Sequence, residues 1–584
     1  MGCDGFGLRS APAEGGEAEF VTFGSCLATY QERREARDSA ERGRWAHAAR
    51  LPGSYLTLVR SGSTVRVIGD RAGVHVVYWV YDGDEVVWST SALVLASYTG
   101  GQPSVARLLA GMSLYGVDPL GEASYFEGVR RVPPGRALVL TPGRPPRTET
   151  VPRACGTVSL AEGAQAVAHH LATAVHRRAN LGCAVSCDLS GGVDSSIVTS
   201  LAAARSALLA ITYTDSQLAG QDDVRYAQRV AAQYDTIRHV RVDGTSQHVE
   251  HFGMLQERDS LPLTDSPSLS LGLLAIKGAH LAPAVAYGSG LHLTGRGGDN
   301  VLDSIPLIQV DRARGGQRRQ AAAGIAAFAR QRRISLHSAV FQAARTAVTP
   351  QARALDTLAT ALIEPAPLSA SAYLRPTELL AWCGPLSSAD WLSGAGRRAV
   401  AQVVTARAGA TLAGALPGAE HERMALERMG EEHATYDQIA RQRWGLPMHA
   451  PYLDAPVVDA CLAVPGWERW APGDFKPLAR AAFTGTVPHF LLQWRTKTPM
   501  TSSLHRGLRT NVGTLRSILA GSRLAQAGLI DPAPALAALE GAARGELAPL
   551  GALHQLIATE LWLVTLPTTR DRWWEPASSG QEAA

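Results

Sequence analysis

Residues 184–200 read AVSCDLSGGVDSSIVTS. An apolar stretch typical of a buried strand runs up to Leu189, a glycine turn follows, and a helical pattern begins near Ser195. Gly191 and Gly192 allow a tight turn that brings backbone N–H groups close to a ligand, and the N-terminus of the next helix favours negative charge. The order of strand, turn and helix therefore predicts a loop that binds pyrophosphate.

An acidic residue, Asp194, stands inside this loop. A carboxylate repels phosphate, so its natural role here is to hold a Mg²⁺ ion that bridges to the phosphates. The alternative interpretation is an ordinary glycine turn in which Ser195 caps the helix. No GKS or GKT follows the glycines, which excludes a Walker loop.

Strands and helices alternate on both sides of the loop. The pattern predicts helices over 160–178, 195–205 and 224–234, and strands over 183–189, 208–214 and 239–242. Such alternation is typical of a parallel sheet covered by helices. The second half of the chain is therefore expected to be an α/β unit.

The first half has a different pattern. Residues 19–145 contain short runs of β-branched and aromatic residues separated by Gly, Asp and Pro, which predicts an antiparallel β-rich domain. A polar, proline-rich stretch over 144–155 then ends this pattern. We expect domains over 1–155 and 156–570, followed by a flexible tail over 571–584.

Composition excludes several classes of protein. The chain is 46% hydrophobic, and 56 basic residues against 52 acidic ones give a net charge of only +4, so nucleic acid is not an expected partner. Its seven cysteines contain no CxxC pair, which indicates neither a disulfide framework nor a zinc site. Without an 18-residue apolar run or a secretion signal, we expect a cytoplasmic protein with no membrane partner.

Eight arginines are concentrated between Asp311 and Arg345. The simplest interpretation is a solvated face of one or more helices. A groove for an acidic peptide or phosphate remains the alternative.

Three segments carry a resemblance to a known family. SGGVDSS, at 190–196, resembles the PP-loop of the ATP pyrophosphatases, and LTGRGGD, at 293–299, resembles the second metal-binding loop of the asparagine synthetases. APYLD, at 450–454, is similar to that family's PFLD element. The resemblance implies a doubly wound parallel-sheet PP-loop synthetase domain with helical additions, which binds ATP and Mg²⁺.

The resemblance also implies roles for individual residues. Asp194 and Asp299 would be the metal ligands, and adenine would lie against the backbone of the strand over 211–214. The ATP-binding residues would be Leu189, Ser190, Gly191, Gly192, Asp194, Ser195, Ser196, Thr212, Thr294 and Gly295.

The C-terminal segments extend the likeness. FKPLAR at 475–480, Val487-Pro488 and Arg495-Thr496-Lys497 follow in an order similar to that in asparagine synthetases. There, a lysine reaches the α-phosphate, so Lys497 is the candidate that stabilises charge during catalysis. A surface lysine beside an exposed loop is the alternative.

The N-terminal half is similar to the glutaminase half of an asparagine synthetase, which implies a degenerate glutaminase-like (Ntn) β-rich domain. That glutaminase uses a cysteine at the mature N-terminus, whereas here Cys3 follows Gly2. A stretch resembling the family's glutamine-binding segment is also missing. Glutamine hydrolysis is therefore not expected, and the nucleophile should be an amine of the substrate.

Two related groups use such an amine: the β-lactam and carbapenam synthetases, and the lasso peptide cyclases. The chain looks most like the lasso peptide cyclases, through FEGVRRVPPG at 126–135 and the segment from 457 to 497. This implies ATP-dependent closure of an isopeptide macrolactam in a precursor peptide. Whether a leader-peptide-binding protein and a leader peptidase also take part stays open. The alternatives are an asparagine synthetase, a β-lactam-synthetase-like small-molecule amide synthetase, a tRNA-modifying PP-loop enzyme and a non-catalytic scaffold.

The general base is harder to assign. Arg296 is always protonated and cannot act as a base, so it should bind phosphate or a substrate carboxylate at the reacting centre. Glu432, together with Glu431 and Tyr436, lies in a plausible region for the acid–base pair of the β-lactam synthetases.

Overall fold

The computed structural model describes residues 9–10, 18–152, 157–216, 218, 222–255, 261–364, 367–368, 374–411, 413–493 and 501–566. These residues form an antiparallel β-rich part, up to residue 152, and a mixed α/β part after it. The two fold classes expected from the sequence are confirmed.

The β-rich part contains two antiparallel sheets. Its described strands are β1 (Arg9–Ser10), β2 (Ala18–Cys26), β3 (Gly53–Ser61), β4 (Thr64–Ile68), β5 (Val77–Asp82), β6 (Glu85–Ser89), β7 (Leu114–Tyr115), β8 (Arg130–Val132), β9 (Arg136–Leu140) and β10 (Arg147–Thr150). One sheet has the order β1-β2-β3-β4-β9-β10 and the other β6-β5-β8. Side chains of β3 such as Leu56 and Val59 are fully buried, as expected of strands that cover a core.

Three helices interrupt these strands, which the expectation of mostly short strands did not include: α1 (Tyr30–Glu41), α2 (Ala92–Thr99) and α3 (Val105–Ser113). Thr29 and Glu32 form a capping box at the start of α1. Glu32 also pairs with Arg177 of the α/β part, at 2.6 and 2.9 Å. The hydrogen bond from Arg177 lowers the pKa of Glu32 to about 2, so the carboxylate that starts α1 also joins the two parts.

The α/β part is built on a five-stranded parallel sheet. Its strands are β11 (Val185–Asp188), β12 (Leu208–Thr214), β13 (Ile237–Asp243), β14 (Leu291–Leu293) and β16 (Met448–His449), in the order β13-β12-β11-β14-β16. From β11 the chain first adds strands on one side and then on the other. Ligands bind at such a switch point in open α/β sheets, which places the expected loop after β11 at the sheet's natural binding position.

The rest of the α/β part is mainly helical. The described helices are α4 (Leu160–Ala179), α5 (Val193–Ala203), α6 (Asp222–Ala231), α7 (Leu274–Ala286), α8 (Gly298–Val301), α9 (Ile308–Arg314), α10 (Arg318–Arg332), α11 (Leu336–Val348), α12 (Gln351–Ile363), α13 (Gly394–Gly409), α14 (Pro417–Trp444), α15 (Ala455–Ala463), α16 (Gly466–Arg469), α17 (Pro477–Phe483), α18 (His489–Leu492), α19 (Thr501–Thr510), α20 (Val512–Ala520), α21 (Arg523–Gln526), α22 (Pro532–Arg544) and α23 (Leu550–Thr565). The sheet elements agree with the sequence patterns to within a few residues. The arginines of the 311–345 run lie on α9 to α11 or just beyond them, and most are exposed, as the simpler interpretation expected.

The two parts share one hydrophobic core. Leu109 and Met112 of α3 belong to the same buried cluster as Ile439 of α14 and Trp562 of α23. A short strand, β15 (Gly384–Pro385), also pairs with β7. Packing is therefore continuous between the β-rich and α/β parts, and the predicted boundary at residue 155 and tail over 571–584 lie outside the described residues.

One apolar helical segment, Leu269–Ala286, has the length and composition of a membrane span among the described residues. Half of it is buried inside the protein, where Leu281 and Ala284 pack against β12. Burial against the sheet accounts for its apolar character.

Candidate active site

The loop after β11 has the tight geometry that its glycines predicted. Gly191 has a φ of +86°, and a Cβ there would collide with the backbone carbonyl of Asp223, so only glycine fits. The side chain of Ser190 lies 2.8 Å from Ser195 Oγ, which also accepts the Ser190 N–H at 3.2 Å. Gly192 is the N-cap of α5, so the first backbone N–H groups of that helix remain available to an anion.

A second glycine loop, which follows β14, packs directly against the first. A Cβ on Gly295 would lie 2.5 Å from the backbone nitrogen of Ser195, and one on Gly298 would overlap the carboxylate of Asp194. Gly297 between them has a φ of +88°. The glycines are therefore required for the close approach of the two loops, which carries Asp299 to the side of Asp194.

A lysine joins the two aspartates. Lys476 Nζ lies 2.5 Å from both carboxylate oxygens of Asp194 and 2.6 Å from Oδ1 of Asp299. The Lys476 side chain is only 2% exposed, and its backbone adopts a left-handed φ of +51° at the start of α17. Such a conformation costs free energy for a residue with a Cβ, and it holds the ammonium between the loops.

The charges of this cluster are strongly coupled. Burial on its own would lower the pKa of Lys476, but Asp194 and Asp299 outweigh it and raise that pKa. The two carboxylates supply oxygen ligands of the kind Mg²⁺ takes when substrate phosphates complete its coordination, so these residues fit the ion. No larger cluster of metal-ligating side chains occurs within the described ranges.

Several residues predicted to bind ATP shape the loop through hydrogen bonds of their own. Thr212 Oγ1 donates to the carbonyl of Leu189 at 2.5 Å, which ties β12 to the start of the loop. Thr294 is buried, and its N–H donates to the carbonyl of His449 at 2.8 Å. Ser196 is fully buried inside α5. The Thr212 side chain therefore fixes the start of the loop, so any contact with nucleotide from Thr212 or Leu189 would come from the backbone.

The APYLD segment is anchored by a buried ion pair. Arg178 donates to both carboxylate oxygens of Asp454 at 2.7 Å, and each side chain is 1% exposed. Arg178 Nε also lies 3.1 Å from His449 Nδ1. Tyr452, from the same segment, donates its hydroxyl to the carbonyl of Asp194 at 3.3 Å. The pair therefore supports the phosphate loop through Tyr452.

Arg296 and Glu432 lie on the far side of the second loop. The Arg296 guanidinium carbon is 4.6 Å from the ring centroid of Tyr436, and its Nη1 lies 3.5 Å from the backbone carbonyl of Glu432. The Glu432 carboxylate accepts a hydrogen bond from Ser268 at 2.8 Å. Burial raises the pKa of Glu432 against the opposing effect of Arg296. A raised pKa makes this carboxylate a stronger base than an exposed glutamate.

A cavity of about 520 Å³ separates α14 from the β-rich part. Glu431, Glu432, Arg428 and Glu427 line it from α14, and Arg131 and Tyr125 line it from the other side. Its size is in the range of pockets that bury a drug-sized ligand. Because Glu432 also belongs to the Arg296 cluster, the cavity and the glycine loops meet at this residue.

The structure brings most of the predicted residues together. Those on the two loops, with Asp194 and Asp299, form one edge of the sheet, and Arg296 and Glu432 adjoin it. Lys497 and Cys3 lie outside the described residues, so the role of Lys497 and the absence of glutamine hydrolysis stay predictions. Lys476 belongs to the FKPLAR segment but had no predicted role, and neither had Lys277. The signal that could have found them is composition, because the chain contains three lysines in all: Lys277, Lys476 and Lys497.

Comparison with known families agrees with this site. The family model "asparagine synthase" matches residues 166–564, which include both glycine loops and Lys476. The chain belongs to the asparagine synthase family. Membership of this family indicates an ATP-dependent ligase that forms an amide bond.

Outside the asparagine synthase family model, the comparisons show little. No curated protein matches the chain. Among solved structures, the chain is similar to the glutamine phosphoribosylpyrophosphate amidotransferase from B. subtilis complexed with ADP and GMP, with 10% identity and a TM-score of 0.17. The match covers 50% of this chain and 64% of that one.

Proposed function

We propose that this member of the asparagine synthase family is a lasso peptide cyclase, which closes a macrolactam in a ribosomally made precursor peptide. The side-chain carboxylate of an Asp or Glu attacks the α-phosphorus of ATP, and pyrophosphate leaves. The peptide's N-terminal amine then attacks the acyl-adenylate, the new C–N bond forms, and AMP leaves as the amine loses its proton.

The glycine-loop edge supports the first step. The loop after β11 offers backbone N–H groups to phosphate, and Lys476 holds Asp194 and Asp299 side by side. These carboxylates would hold Mg²⁺, which neutralises phosphate charge when bound. Lys497 is proposed to stabilise the charge that develops on the α-phosphate.

The cavity at Glu432 is the observation that carries the choice of substrate. It lies between α14 and the β-rich part, and polar groups from both line it. Aspartate and ammonia need far less than 520 Å³, whereas a folded stretch of peptide can use such a volume. The β-rich part is thus proposed to act as one wall of the substrate site instead of as a glutaminase.

The cavity also supports the second step. Glu432 belongs both to the cavity lining and to the cluster beside the second glycine loop. Its raised pKa suits a group that takes the proton from the amine as the C–N bond forms. Holding the amine against the adenylate is a matter of positioning, which can supply a large part of the rate enhancement.

The partners belong to this proposal as well. The substrate is a core peptide, with or without its leader, and a leader-peptide-binding protein and a leader peptidase would act on the same precursor. The proposed location is the cytoplasm, where ATP and newly made peptide are available.

The test uses purified protein, ATP, Mg²⁺ and the precursor peptide encoded beside its gene. We expect release of AMP and pyrophosphate together with a product lighter than the linear peptide by one water. Two matched peptides separate the steps: N-acetylation should block closure but not pyrophosphate release, and replacing the acceptor Asp or Glu by its amide should block both.

The alternative is a synthetase that acts on a small molecule. Formation of asparagine or another small amide, with no change in any peptide, would replace the macrocyclase proposal by that alternative. Release of glutamate from added glutamine would in turn restore a glutaminase role for the β-rich part.

A further inference from the structure

Lys277, on α7, is one of only three lysines among 56 basic residues, so arginine is this chain's usual cation. Of the other two, Lys476 bridges the two glycine loops and Lys497 is predicted at the α-phosphate. A lysine offers a compact point charge where the broad guanidinium group of arginine does not fit. A chain that otherwise uses arginine is therefore expected to keep lysine where such a compact charge is needed.

Lys277 and Arg296 share one aromatic ring. Lys277 Nζ lies 4.9 Å from the ring centroid of Tyr436, and the Arg296 guanidinium carbon lies 4.6 Å from the same centroid. Tyr436 is 2% exposed, so its ring is held rigidly between α7, α14 and the second glycine loop. Two like charges beside one buried ring repel each other unless an anion joins them.

Two carboxylates, Asp188 and Glu432, act on the charge of Lys277, but within the described ranges neither forms an ion pair with it. No hydrogen bond engages its ammonium there either, and the ammonium lies against the Tyr436 ring. The Asp188 carboxylate faces His280 and His292, at 3.2 and 3.0 Å, and Glu432 accepts a hydrogen bond from Ser268. Burial lowers the pKa of Lys277 and the charge of Arg296 adds to this effect, whereas Asp188 and Glu432 raise that pKa.

The position of this pair relates it to the nucleotide. Arg296 directly follows Gly295, whose backbone touches the phosphate loop at Ser195. Lys277 lies on α7, which packs on β12, the strand predicted to contact adenine. The α-phosphate links adenosine to the pyrophosphate of ATP, so we expect it to lie between these two elements.

We propose that Lys277 and Arg296 form a two-cation site for the α-phosphate, which they hold in ATP and in the acyl-adenylate. The site rests on the proposed adenylating function, adds Lys277 to it and assigns Arg296 to the α-phosphate. Lys277 supplies the point charge and Arg296 the planar group, while the Tyr436 ring fixes both against their mutual repulsion.

The test compares the binding of AMP and adenosine by isothermal titration calorimetry, because the two ligands differ only in the α-phosphate. The wild-type protein should bind AMP more tightly by about tenfold to a hundredfold. Lys277→Gln should reduce AMP affinity by about tenfold or more and leave adenosine affinity unchanged. Arg296→Gln should do the same, and Arg330→Gln, a matched loss of an exposed cation on α10, should change neither affinity.

Full AMP preference in Lys277→Gln would overturn the site, as would equal loss of AMP and adenosine binding, since the residue would then act on the fold. Thermal unfolding of each variant shows which proteins are folded, and Arg296→Gln carries the same comparison if Lys277→Gln does not fold. Amide formation is measured on the same wild-type sample. Its absence with AMP preference intact would refute the proposed cyclase and leave the phosphate site standing.

Discussion

Lys476 donates to both oxygens of Asp194 from 2.5 Å and reaches Asp299 at 2.6 Å. The two aspartates are 105 positions apart in the sequence, so one ammonium fixes two distant loops at a single point. Lys476 itself belongs to a third segment, at the start of α17. Residues from three parts of the chain therefore meet at this edge of the sheet, where one positive charge attracts two negative ones.

The first prediction concerns stability at this point. Lys476→Met leaves the nearly buried carboxylate of Asp194 without its cation, so we expect the free energy of unfolding to fall by about 3 kcal/mol, the lower end for a broken buried pair. Urea unfolding measures this loss. Arg480→Met is the matched control, because it breaks an exposed ion pair with Asp474 and should cost less than about 1 kcal/mol.

A second prediction addresses the metal. Asp194→Asn should remove most of the increase in ATP affinity that Mg²⁺ produces, and Asp299→Asn should do the same, because each removes a carboxylate ligand. Titrations of ATP with and without Mg²⁺ compare the variants with Asp235→Asn, which changes an exposed aspartate. An Mg²⁺ effect of wild-type size in both variants would contradict the assignment.

The third prediction concerns the support of the APYLD segment. Arg178→Met leaves Asp454 buried and unpaired, so the free energy of unfolding should drop by about 3–5 kcal/mol. The double variant Arg178→Met/Asp454→Leu removes both charges and should recover much of that loss. Equal instability of the single and double variants would show that packing, and not the unpaired charge, causes the effect.

The fourth prediction is a dependence of stability on pH. Burial lowers the pKa of several histidines in the folded protein, among them His433, to about 3, and His251, His280 and His554, to about 4. At these four residues the unfolded chain binds protons between pH 6.5 and 4 that the folded protein does not, so their contribution to stability falls as pH decreases through this window. Asp303 and Asp311, whose pKa burial raises to about 6, act in the opposite direction.

Each of these histidines should contribute about 2 kcal/mol to the loss between pH 6.5 and 5. Urea unfolding at both pH values measures it, and His433→Gln should reduce the difference. His337→Gln, at an exposed position on α11, should leave the pH dependence unchanged.

The fifth prediction separates the two chemical steps. Glu432→Gln should slow amide formation by about 10²–10⁴-fold, the usual contribution of a general acid–base group, and leave ATP–pyrophosphate exchange close to the wild-type rate. Glu85→Gln, on the exposed hairpin between β5 and β6, is the control. Loss of exchange in Glu432→Gln would place this residue in adenylation and not in amine attack.

The glycine-loop edge of the sheet could be predicted from the sequence alone. Alternating apolar strands and helices have distinct periods, and a glycine pair between a strand and a helix permits few conformations, so the loop over 190–196 and its parallel sheet could be predicted locally. The second loop, with Asp299, was identified through its resemblance to the metal-binding loop of the asparagine synthetases.

Which side chains share a site depends on the tertiary structure. Lys476 bridges two aspartates from loops far away, Lys277 and Arg296 meet on the ring of Tyr436, and Glu432 joins the cavity to the loops. These contacts connect segments more than 100 residues apart, and no local pattern encodes them. Burial then sets the pKa values of the same groups, because the loss of water and the arrival of distant charges occur only when the chain folds.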